Sequence, residues 1–340
     1  MDIINSYVEP EKTQNLVYMA KPIYGGWVTF TAHVSKKYNY PIHKITKHTE
    51  KGRRDFGYGC NYHNMSLADV VVVENPFITA VDKSYWGYLQ YFPENTRIVI
   101  HDPTECKSSK EGNPLVQETD NGSYLLQRFD VYVIRESVQK YLKDTWNVDS
   151  TFLPHPFYPE KIPANMSGMP YKNVSIARID FDKNSDILLK ANALLDQTDK
   201  SNHIRLFGAE NRIYVYHQLR PLGLQYYWMG KFAKHMIPQY KDGLSILKAA
   251  EYMIDLSVIK KDGGGTQYSF LEAMYQDCVL VLHNEWINAG DTFTSGVNCI
   301  GVSNEHELAQ LITTGISATK QKQIKANAKK ILQTHINVKW

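Results

Sequence analysis

The stretch IDLSVIKKDGGGTQYSFLEAMYQDCVLVLH, residues 254–283, decides the fold. Apolar runs at 254–258 and 279–283 are typical of buried strands, and the segment 269–275 between them has helical character. Three consecutive glycines stand between the first strand and the helix. A strand, a helix and a second strand in this order predict one βαβ unit of a parallel sheet.

The same alternation of strands and helices runs through the rest of the chain. In the first half we predict strands at 15–20, 68–74, 97–101 and 130–134, and helices at 28–38, 80–92, 123–129 and 137–146. In the second half we predict further strands at 174–177, 203–207, 226–229 and 299–302, and further helices at 185–195, 240–250, 305–313 and 320–334. This pattern predicts an α/β fold with two Rossmann-like, doubly wound domains.

A segment with several prolines and no helical periodicity, residues 157–171, separates the two halves. We therefore predict an N-terminal domain at 1–156, a linker at 157–171 and a C-terminal domain at 172–340. The last helix is a candidate for returning to the N-terminal domain. Two such domains in tandem predict a ligand cleft between them, at the carboxyl ends of the strands.

Composition and missing motifs exclude several classes of protein. The chain has 340 residues and a formal net charge of +3, which fits two ordinary globular domains. Its four cysteines form no CxxC pair, which disfavours a zinc ribbon or a disulfide scaffold. No apolar run is long enough to cross a bilayer, and the polar start lacks the apolar middle of a signal peptide, so we expect a cytoplasmic protein. GxGxxG, GxxxxGK[ST] and GxSxG are missing, which disfavours a dehydrogenase, a P-loop enzyme and the commonest hydrolases.

A pair of cations, Arg178 and Lys183, follows the strand predicted at 174–177. At the carboxyl end of a parallel strand these side chains are well placed to hold a diphosphate, Arg through its fork of N–H donors and Lys as a point charge. The alternative is two surface cations in a loop. The residues alone leave both interpretations open.

The glycine-rich loop of the opening stretch is a second candidate for binding an anion. Glycines allow the backbone N–H groups to approach an anion or a sugar, and the start of the next helix adds positive potential. Glu272 falls in the first turns of that helix, where a carboxylate can accept hydrogen bonds from two ribose hydroxyls. The alternative is a flexible loop followed by a solvated glutamate.

In the first half, Gly25, Gly26 and His101 are the corresponding candidates. The two glycines lie between the first predicted strand and its helix, and they allow a close approach of the backbone. His101 is the last residue of the strand at 97–101, where its ring would face a cleft and hydrogen-bond a substrate hydroxyl or leaving group. A histidine that only holds a loop is the alternative.

A basic and aromatic stretch lies between His33 and Asn64. Seven Lys and Arg residues face two acidic residues there, a local charge of +5, while the rest of the chain carries −2. Cations for phosphates and rings for bases are typical of nucleic-acid binding, and Lys51, Arg53 and Arg54 are our candidates for acceptor contacts. The alternative is a solvated, mobile loop.

Together these features resemble the GT-B glycosyltransferases, in particular the retaining family 4. That family has Arg, four residues and Lys after a strand, the spacing of Arg178 and Lys183. Its signature is Glu, seven residues, Glu, within a segment like EGFGLxxLEAMAxGxPV. Residues 265–281 match the second half of this segment, with Glu272 on the second Glu. Gly264 stands at the position of the first Glu, which lies near the transferred sugar in that family, and Asp262 is a candidate replacement.

The resemblance implies a role for each candidate residue. Arg178 and Lys183 contact the diphosphate of a nucleoside diphosphate sugar, with a UDP-sugar favoured, and Glu272 binds its ribose. His101 holds a sugar hydroxyl near the anomeric carbon, so His101, Arg178 and Lys183 are the catalytic candidates. The other predicted donor-binding residues are Gly25, Gly26, Gly265, Thr266, Gln267 and Tyr268. No metal and no other cofactor is expected, because two cations already serve the diphosphate.

The implied activity is transfer of the sugar to a hydroxyl acceptor with retention. Compact viral DNA-modifying glucosyltransferases share the GT-B fold. Together with the basic stretch they favour a hydroxymethylated base in double-stranded DNA, and a viral protein would act in the host cytoplasm. Two alternatives remain: a glycan or lipid acceptor, whose anionic head groups would meet the basic stretch, and a non-catalytic protein that binds nucleotide sugars. The sequence leaves the oligomeric state open.

Overall fold

The computed structural model describes residues 13–21, 25–46, 52–102, 121–160, 171–198, 202–225, 240–259 and 263–340. The chain divides into two compact units. The first comprises Met1–Ile134 and Val138–Phe152, and the second comprises Arg135–Ser137 and Leu153–Trp340. The domain and linker boundaries drawn from the sequence stay a prediction.

The first unit is built on a sheet with the strand order β3-β4-β2-β1-β5-β6-β7-β8 in its described part. Its strands are β1 (Asn15–Met19), β2 (Ile42–Thr46), β3 (Gly52–Gly57), β4 (Cys60–Ser66), β5 (Pro76–Val81), β6 (Arg97–Ile100), β7 (Asp130–Val133) and β8 (Thr151–Phe152). Neighbouring strands are parallel, except that β3 pairs antiparallel with β4 at the edge of the sheet. The helices are α1 (Gly26–Tyr38), α2 (Asn121–Gln127) and α3 (Glu136–Trp146).

Two elements predicted in this unit are wrong. The apolar run at 68–74 is not a strand, because Leu67–Val72 forms a 3-10 helix. Its start is held by the Asp69 carboxylate, which accepts hydrogen bonds from the backbone N–H and the hydroxyl of Ser66. The strand is the next segment, β5, which is buried along its whole length. The helix predicted at 80–92 therefore begins inside β5, and the remainder is a 3-10 helix over Lys83–Tyr91.

The second unit is built on a parallel sheet with the order β10-β9-β11-β12-β13 in its described part. Its strands are β9 (Asn173–Ile176), β10 (Ile204–Phe207), β11 (Tyr252–Asp255), β12 (Val279–His283) and β13 (Ile300–Val302). Its helices are α4 (Ser185–Thr198), α5 (Arg212–Tyr214), α6 (Tyr240–Ala249), α7 (Tyr268–Tyr275), α8 (Asn284–Asn288), α9 (Glu305–Thr314) and α10 (Ala318–Asn337). A π-helical turn, Val215–Leu219, continues α5. The strand predicted at 226–229 lies outside the described residues.

Apolar side chains cover both faces of the second sheet. One cluster includes Leu188, Ile204 and Ile254, and a second includes Val174, Phe270 and Trp286. Helices on both faces are what a parallel sheet needs, because neither of its faces is left to water. Helix α10 packs on α7 and β12. Its predicted return to the first domain stays a prediction.

Each sheet contains a position where the chain reverses its direction of winding. In the second unit, β9 lies between β10 and β11, and the chain leaves β9 toward β10 on one side but leaves β11 toward β12 on the other. In the first unit, β1 lies in the same way between β2 and β5. Open α/β sheets bind ligands in the crevice outside the carboxyl ends of two such strands. In this protein we therefore expect a ligand site at the loops after β9, β11 and β1.

Candidate functional site

The loop after β9 places Lys183 beside the loop that follows β11. Lys183 ends a short 3-10 helix, Phe181–Lys183, and only 9% of it is exposed. Its ammonium group donates a hydrogen bond to the Ser257 hydroxyl, with 2.7 Å between Nζ and Oγ. The side-chain oxygen of Gln267 lies 3.5 Å from the same Nζ. A buried cation thus stands where the loops after β9 and β11 meet, close to the start of α7.

Arg178 lies in the same loop but faces water. Its side chain is 63% exposed, and its guanidinium pairs with Asp180 at 3.0 Å and with Asp182 at 3.6 Å. Surface ion pairs of this kind contribute little to stability, so a phosphate can compete with the two carboxylates for the guanidinium. Arg178 therefore remains available to an anion at the mouth of the crevice.

The glycine loop contains one position at which no other residue fits. Gly264 has a φ of 65°, and a Cβ atom there would collide with the carbonyl oxygen of Trp286 and lie 2.9 Å from the backbone nitrogen of Gly290. At Gly265, in contrast, a Cβ would meet nothing within 4 Å. The backbone leaves no room for a glutamate at position 264, where the resembling family has its first Glu. The suggested replacement, Asp262, lies outside the described residues.

The next residues present their backbone rather than their side chains. The Thr266 hydroxyl is buried against His335, 3.2 Å from Nε2, and the Tyr268 hydroxyl donates to the carbonyl oxygen of Pro156 at 3.2 Å. Helix α7 begins at Tyr268, and no side-chain hydrogen bond from Gln267 caps it. The first N–H groups of a helix have no partner within the helix, so this start can receive an anion. What this segment can offer a ligand is mainly backbone N–H groups.

Glu272, in the second turn of α7, carries a half-buried carboxyl group. Among the described residues it has no hydrogen-bond or ion-pair partner for its side chain. Burial raises the pKa of Glu272 to about 8. A recessed acid whose pKa is raised without a compensating partner is a good candidate for a ligand-binding group. At this position the Glu272 carboxyl group can accept hydrogen bonds from the hydroxyls of a ligand.

Two buried polar residues of this site, Asp255 and Ser257, are not among the candidates drawn from the sequence. Both are buried at the carboxyl end of β11, and the hydroxyl of Ser257 hydrogen-bonds Oδ1 of Asp255. The only signal in the sequence is the position of Asp-Leu-Ser at the end of a predicted strand. Their link to Lys183 spans 74 residues, so only the folded chain reveals it.

In the first unit, Gly25, Gly26 and His101 lie near one end of α1. Gly25 has a φ of 94° and precedes the helix, and a Cβ at either glycine would meet nothing within 4 Å. Nε2 of His101 lies 2.7 Å from the carbonyl oxygen of Thr79, which can only accept, so Nε2 carries a proton. In the neutral ring Nδ1 is then an acceptor. The His101 ring also meets Phe30 of α1 edge to face.

In its described part, residues 33–46 and 52–64, the basic stretch contains the end of α1 and the strands β2, β3 and β4. Lys44 is buried and donates to the carbonyl oxygen of Ala20 at 3.0 Å, so its charge is not on the surface. Arg53 and Arg54 are exposed on the edge strand β3. Lys51, the third predicted acceptor contact, lies outside the described residues. The local charge of +5 therefore overstates the cationic surface that a partner would meet.

Comparison with solved structures gives similarities along nearly the whole chain. The Anabaena protein Alr3699/HepE in complex with UDP-glucose is 16% identical, with a TM-score of 0.65 and 95% of each chain covered. An α-glucosyltransferase in complex with UDP-glucose and DNA containing an abasic site is 12% identical, with a TM-score of 0.66 and 95% of each chain covered. A glycosyltransferase from Rickettsia africae ESF-5 is 11% identical, with a TM-score of 0.59, covering 96% of this chain and 94% of the other. No protein-family model and no curated protein sequence matches the chain.

At these identities the similarity concerns the fold. The predicted fold class, α/β with two parallel-sheet, Rossmann-like domains as in the GT-B glycosyltransferases, is confirmed. Within the described residues, no helix has the length and apolarity needed to cross a membrane. The same residues contain no cluster of His, Cys, Asp and Glu side chains that could hold a metal ion.

Proposed function

We propose that the protein is a glycosyltransferase that moves a sugar from a nucleoside diphosphate sugar, with UDP favoured, to a hydroxyl acceptor with retention. The observation that carries this proposal is the meeting of the buried Lys183 with the glycine loop and α7 at the reversal point of the second sheet. The carboxyl of Glu272 on α7, which has no hydrogen-bond partner among the described residues, adds a group suited to ribose hydroxyls. Structures with UDP-glucose bound to proteins of the same fold support the choice of donor.

In the proposed mechanism, the chain stabilises the negative charge that develops on the leaving diphosphate. Lys183 and Arg178 face that charge, and their stabilisation grows toward the transition state, which is what accelerates a reaction. Backbone N–H groups of residues 265–268 hold the phosphates and the sugar, and Glu272 accepts the ribose hydroxyls. Nδ1 of His101 accepts a hydrogen bond from a sugar hydroxyl near the anomeric carbon. Gly25 and Gly26 leave room for the donor at the start of α1.

We propose a hydroxymethylated base in double-stranded DNA as the acceptor. Arg53 and Arg54 on the exposed strand β3 are cations that can contact phosphates. A base inside a duplex would have to leave the stack to reach the donor. One protein of the same fold is an α-glucosyltransferase in complex with UDP-glucose and DNA, which supports this acceptor. A glycan or lipid acceptor is the second candidate, and it would use the same donor site and the same transfer reaction.

A non-catalytic protein that binds nucleotide sugars is the third candidate, favoured by the glycine at position 264. Slow hydrolysis of a nucleotide sugar without acceptor separates this candidate from the two enzymes. Transfer to DNA that contains 5-hydroxymethylcytosine, compared with transfer to glycan and lipid acceptors, then separates the enzymes from each other.

The experiment that tests the donor site is calorimetric titration with UDP and UDP-sugars, followed by turnover measurements. We expect UDP to bind, Glu272→Ala to weaken the binding, and Arg178→Ala to lower turnover by roughly 10²-fold or more, the usual effect of losing one charged donor in the transition state. Wild-type turnover by the Arg178→Ala protein would contradict the role of Arg178. If no nucleoside diphosphate bound to the wild-type protein, the proposed function would fail as a whole.

A further inference from the structure

Lys183 is a buried cation whose charge is matched through an intervening serine. The Lys183 ammonium can only donate, so the Ser257 oxygen, 2.7 Å away, accepts from it. The Ser257 hydroxyl must then give its own proton to Asp255, with which it hydrogen-bonds. The backbone N–H of Ser257 donates to the same Asp255 oxygen at 2.9 Å. Lys183, Ser257 and Asp255 therefore form a chain of hydrogen bonds with only one possible direction.

The two loops that carry this chain are tied together on both sides of Ser257. The Asn184 side chain donates to the carbonyl oxygen of Leu256 at 2.9 Å. The backbone N–H of Val258 donates to the carbonyl oxygen of Asp182 at 2.9 Å. These bonds connect the residues on either side of Lys183 to the residues on either side of Ser257. The distance between the ammonium group and the hydroxyl is thus set by the backbone, before any ligand arrives.

The serine between the two charges has a consequence for ligand binding. A buried ammonium needs a compensating charge, and Asp255, which is 2% exposed, supplies it from the far side of Ser257. An ammonium has three N–H donors. One is directed to Ser257, and Gln267 stands at the outer limit of hydrogen bonding at 3.5 Å. The arrangement compensates the charge of Lys183 and still leaves an N–H donor of its ammonium group for a phosphate oxygen.

We propose that Ser257 and Asp255 are positioning residues, which hold the Lys183 ammonium in the orientation that meets the donor diphosphate. This inference rests on the proposed function, in which Lys183 binds that diphosphate. Neither residue touches the ligand, and both act through Lys183. Their effect on diphosphate binding must therefore disappear when Lys183 is absent.

A double-mutant cycle on the full-length protein tests this dependence, with UDP and inorganic pyrophosphate as the probes in calorimetry. We expect Ser257→Ala to weaken the binding of both by about tenfold, as for a hydrogen bond to a charged group. Ser257→Thr keeps the hydroxyl and should restore most of the affinity. In the Lys183→Ala background, Ser257→Ala should have no further effect, since coupled residues are not additive.

The matched control is Ser185→Ala. Ser185 is as buried as Ser257, at 1% exposure, and its hydroxyl has no partner among the described residues. Loss of Ser185 should leave UDP and pyrophosphate affinities unchanged, and the thermal midpoint of each variant is measured alongside. Equal effects of Ser185→Ala and Ser257→Ala would overturn the proposal. An undiminished effect of Ser257→Ala in the Lys183→Ala protein would overturn it as well.

A second measurement does not depend on any ligand and separates the positioning role of Ser257 from the proposed function. Acetylation of Lys183 by limiting acetic anhydride is followed by mass spectrometry, with Lys190, which pairs with Asp186 at 2.9 Å, as the internal reference. We expect Ser257→Ala and Asp255→Asn to raise the labelling of Lys183 several-fold relative to Lys190, and Ser257→Thr to leave it low. An unchanged ratio in Ser257→Ala would overturn the positioning chain. Failure of UDP to bind the wild-type protein, with the labelling result as expected, would instead reject only the proposed function.

Discussion

Among single residues, Glu272 lowers the stability of the folded protein at high pH, although its carboxyl group is proposed to bind the ligand. Burial raises its pKa to about 8 from an ordinary value near 4.5, so the folded chain holds this proton where the unfolded chain has lost it. The stability contribution of Glu272 is therefore favourable below pH 4.5 and is lost as pH rises toward 8. A buried carboxyl group that lowers stability as pH rises, and that has no partner among the described residues, is consistent with the proposed contact to a ribose.

We expect Glu272→Gln to stabilise the protein at pH 8, while weakening UDP binding. With an allowance for the partial exposure of the side chain, the gain should be on the order of 1–2 kcal/mol at pH 8 and near zero at pH 5. Urea unfolding at the two pH values measures it, and the exposed Glu94→Gln is the control. A Glu272→Gln protein with the same pH dependence as the wild type would contradict a raised pKa of this carboxyl group.

Gly264 permits an equally direct test of the glycine loop. A Cβ at this position would collide with the Trp286 carbonyl, and φ is positive, so we expect Gly264→Ala to destabilise the protein by roughly 2–4 kcal/mol. The neighbouring Gly265→Ala meets open space and should cost about 1 kcal/mol or less. Denaturant unfolding compares the two. Equal stabilities would show that the loop is not built around Gly264.

The sequence predicts the positions of residues that belong to a motif, but not those of residues outside one. Lys183 and Glu272 stand at fixed spacings from a strand or a signature, so their place at the second sheet could be predicted. Ser257 and Asp255 act through a contact between distant parts of the chain, and nothing local marks them. The steric need for glycine at position 264 was also invisible, because it depends on the backbone of residues 286–290.

At the scale of elements, the alternation of strands and helices was predictable where strands are uniformly apolar. The sequence predicts strands β1, β7 and β12 because their apolar runs are continuous. Strands β2 and β4 were missed because polar residues occupy buried positions in them, among them Lys44 and Asn64. The four-valine run before β5 carries no periodicity, so a strand could not be told from a 3-10 helix there.

The edge strand β3 carries two exposed arginines, Arg53 and Arg54, which are the proposed contacts to DNA phosphates. If DNA is the acceptor, replacing both Arg53 and Arg54 with alanine should weaken duplex binding and reduce the slope of log affinity against log salt by about 2, because two phosphate contacts are lost. Fluorescence anisotropy at several salt concentrations measures both quantities. Lys322→Ala combined with Lys330→Ala removes the same charge from exposed positions of α10 and should leave the slope unchanged. An unchanged slope in the arginine variant would exclude these two residues as DNA contacts.

At the scale of the whole molecule, each unit contains a buried histidine that must stay neutral. In the first unit, burial lowers the pKa of His33 to about 3. In the second unit, burial lowers the pKa of His335 to about 4, and this ring joins the Thr266 hydroxyl to the carbonyl oxygen of His155. The unfolded chain takes up protons on both rings below pH 6.5, and the folded chain does not. Stability is therefore complete above pH 6.5 and is lost as pH falls toward 4.

We expect both units to lose stability on mild acidification, by roughly 2–3 kcal/mol for each histidine between pH 6.5 and pH 4.5. Replacing His335 with glutamine should lower stability at pH 7, because the contacts to Thr266 and the His155 carbonyl are disturbed, but it should flatten the pH dependence of the second unit. Denaturant unfolding at pH 7, 5.5 and 4.5 separates these effects, and the exposed His306→Gln should retain the wild-type slope. Since His335 holds Thr266 in the glycine loop, the same acidification should also weaken UDP binding in the wild type. A His335→Gln protein that loses stability with falling pH as steeply as the wild type would show that carboxylates, not this buried ring, govern the acid response.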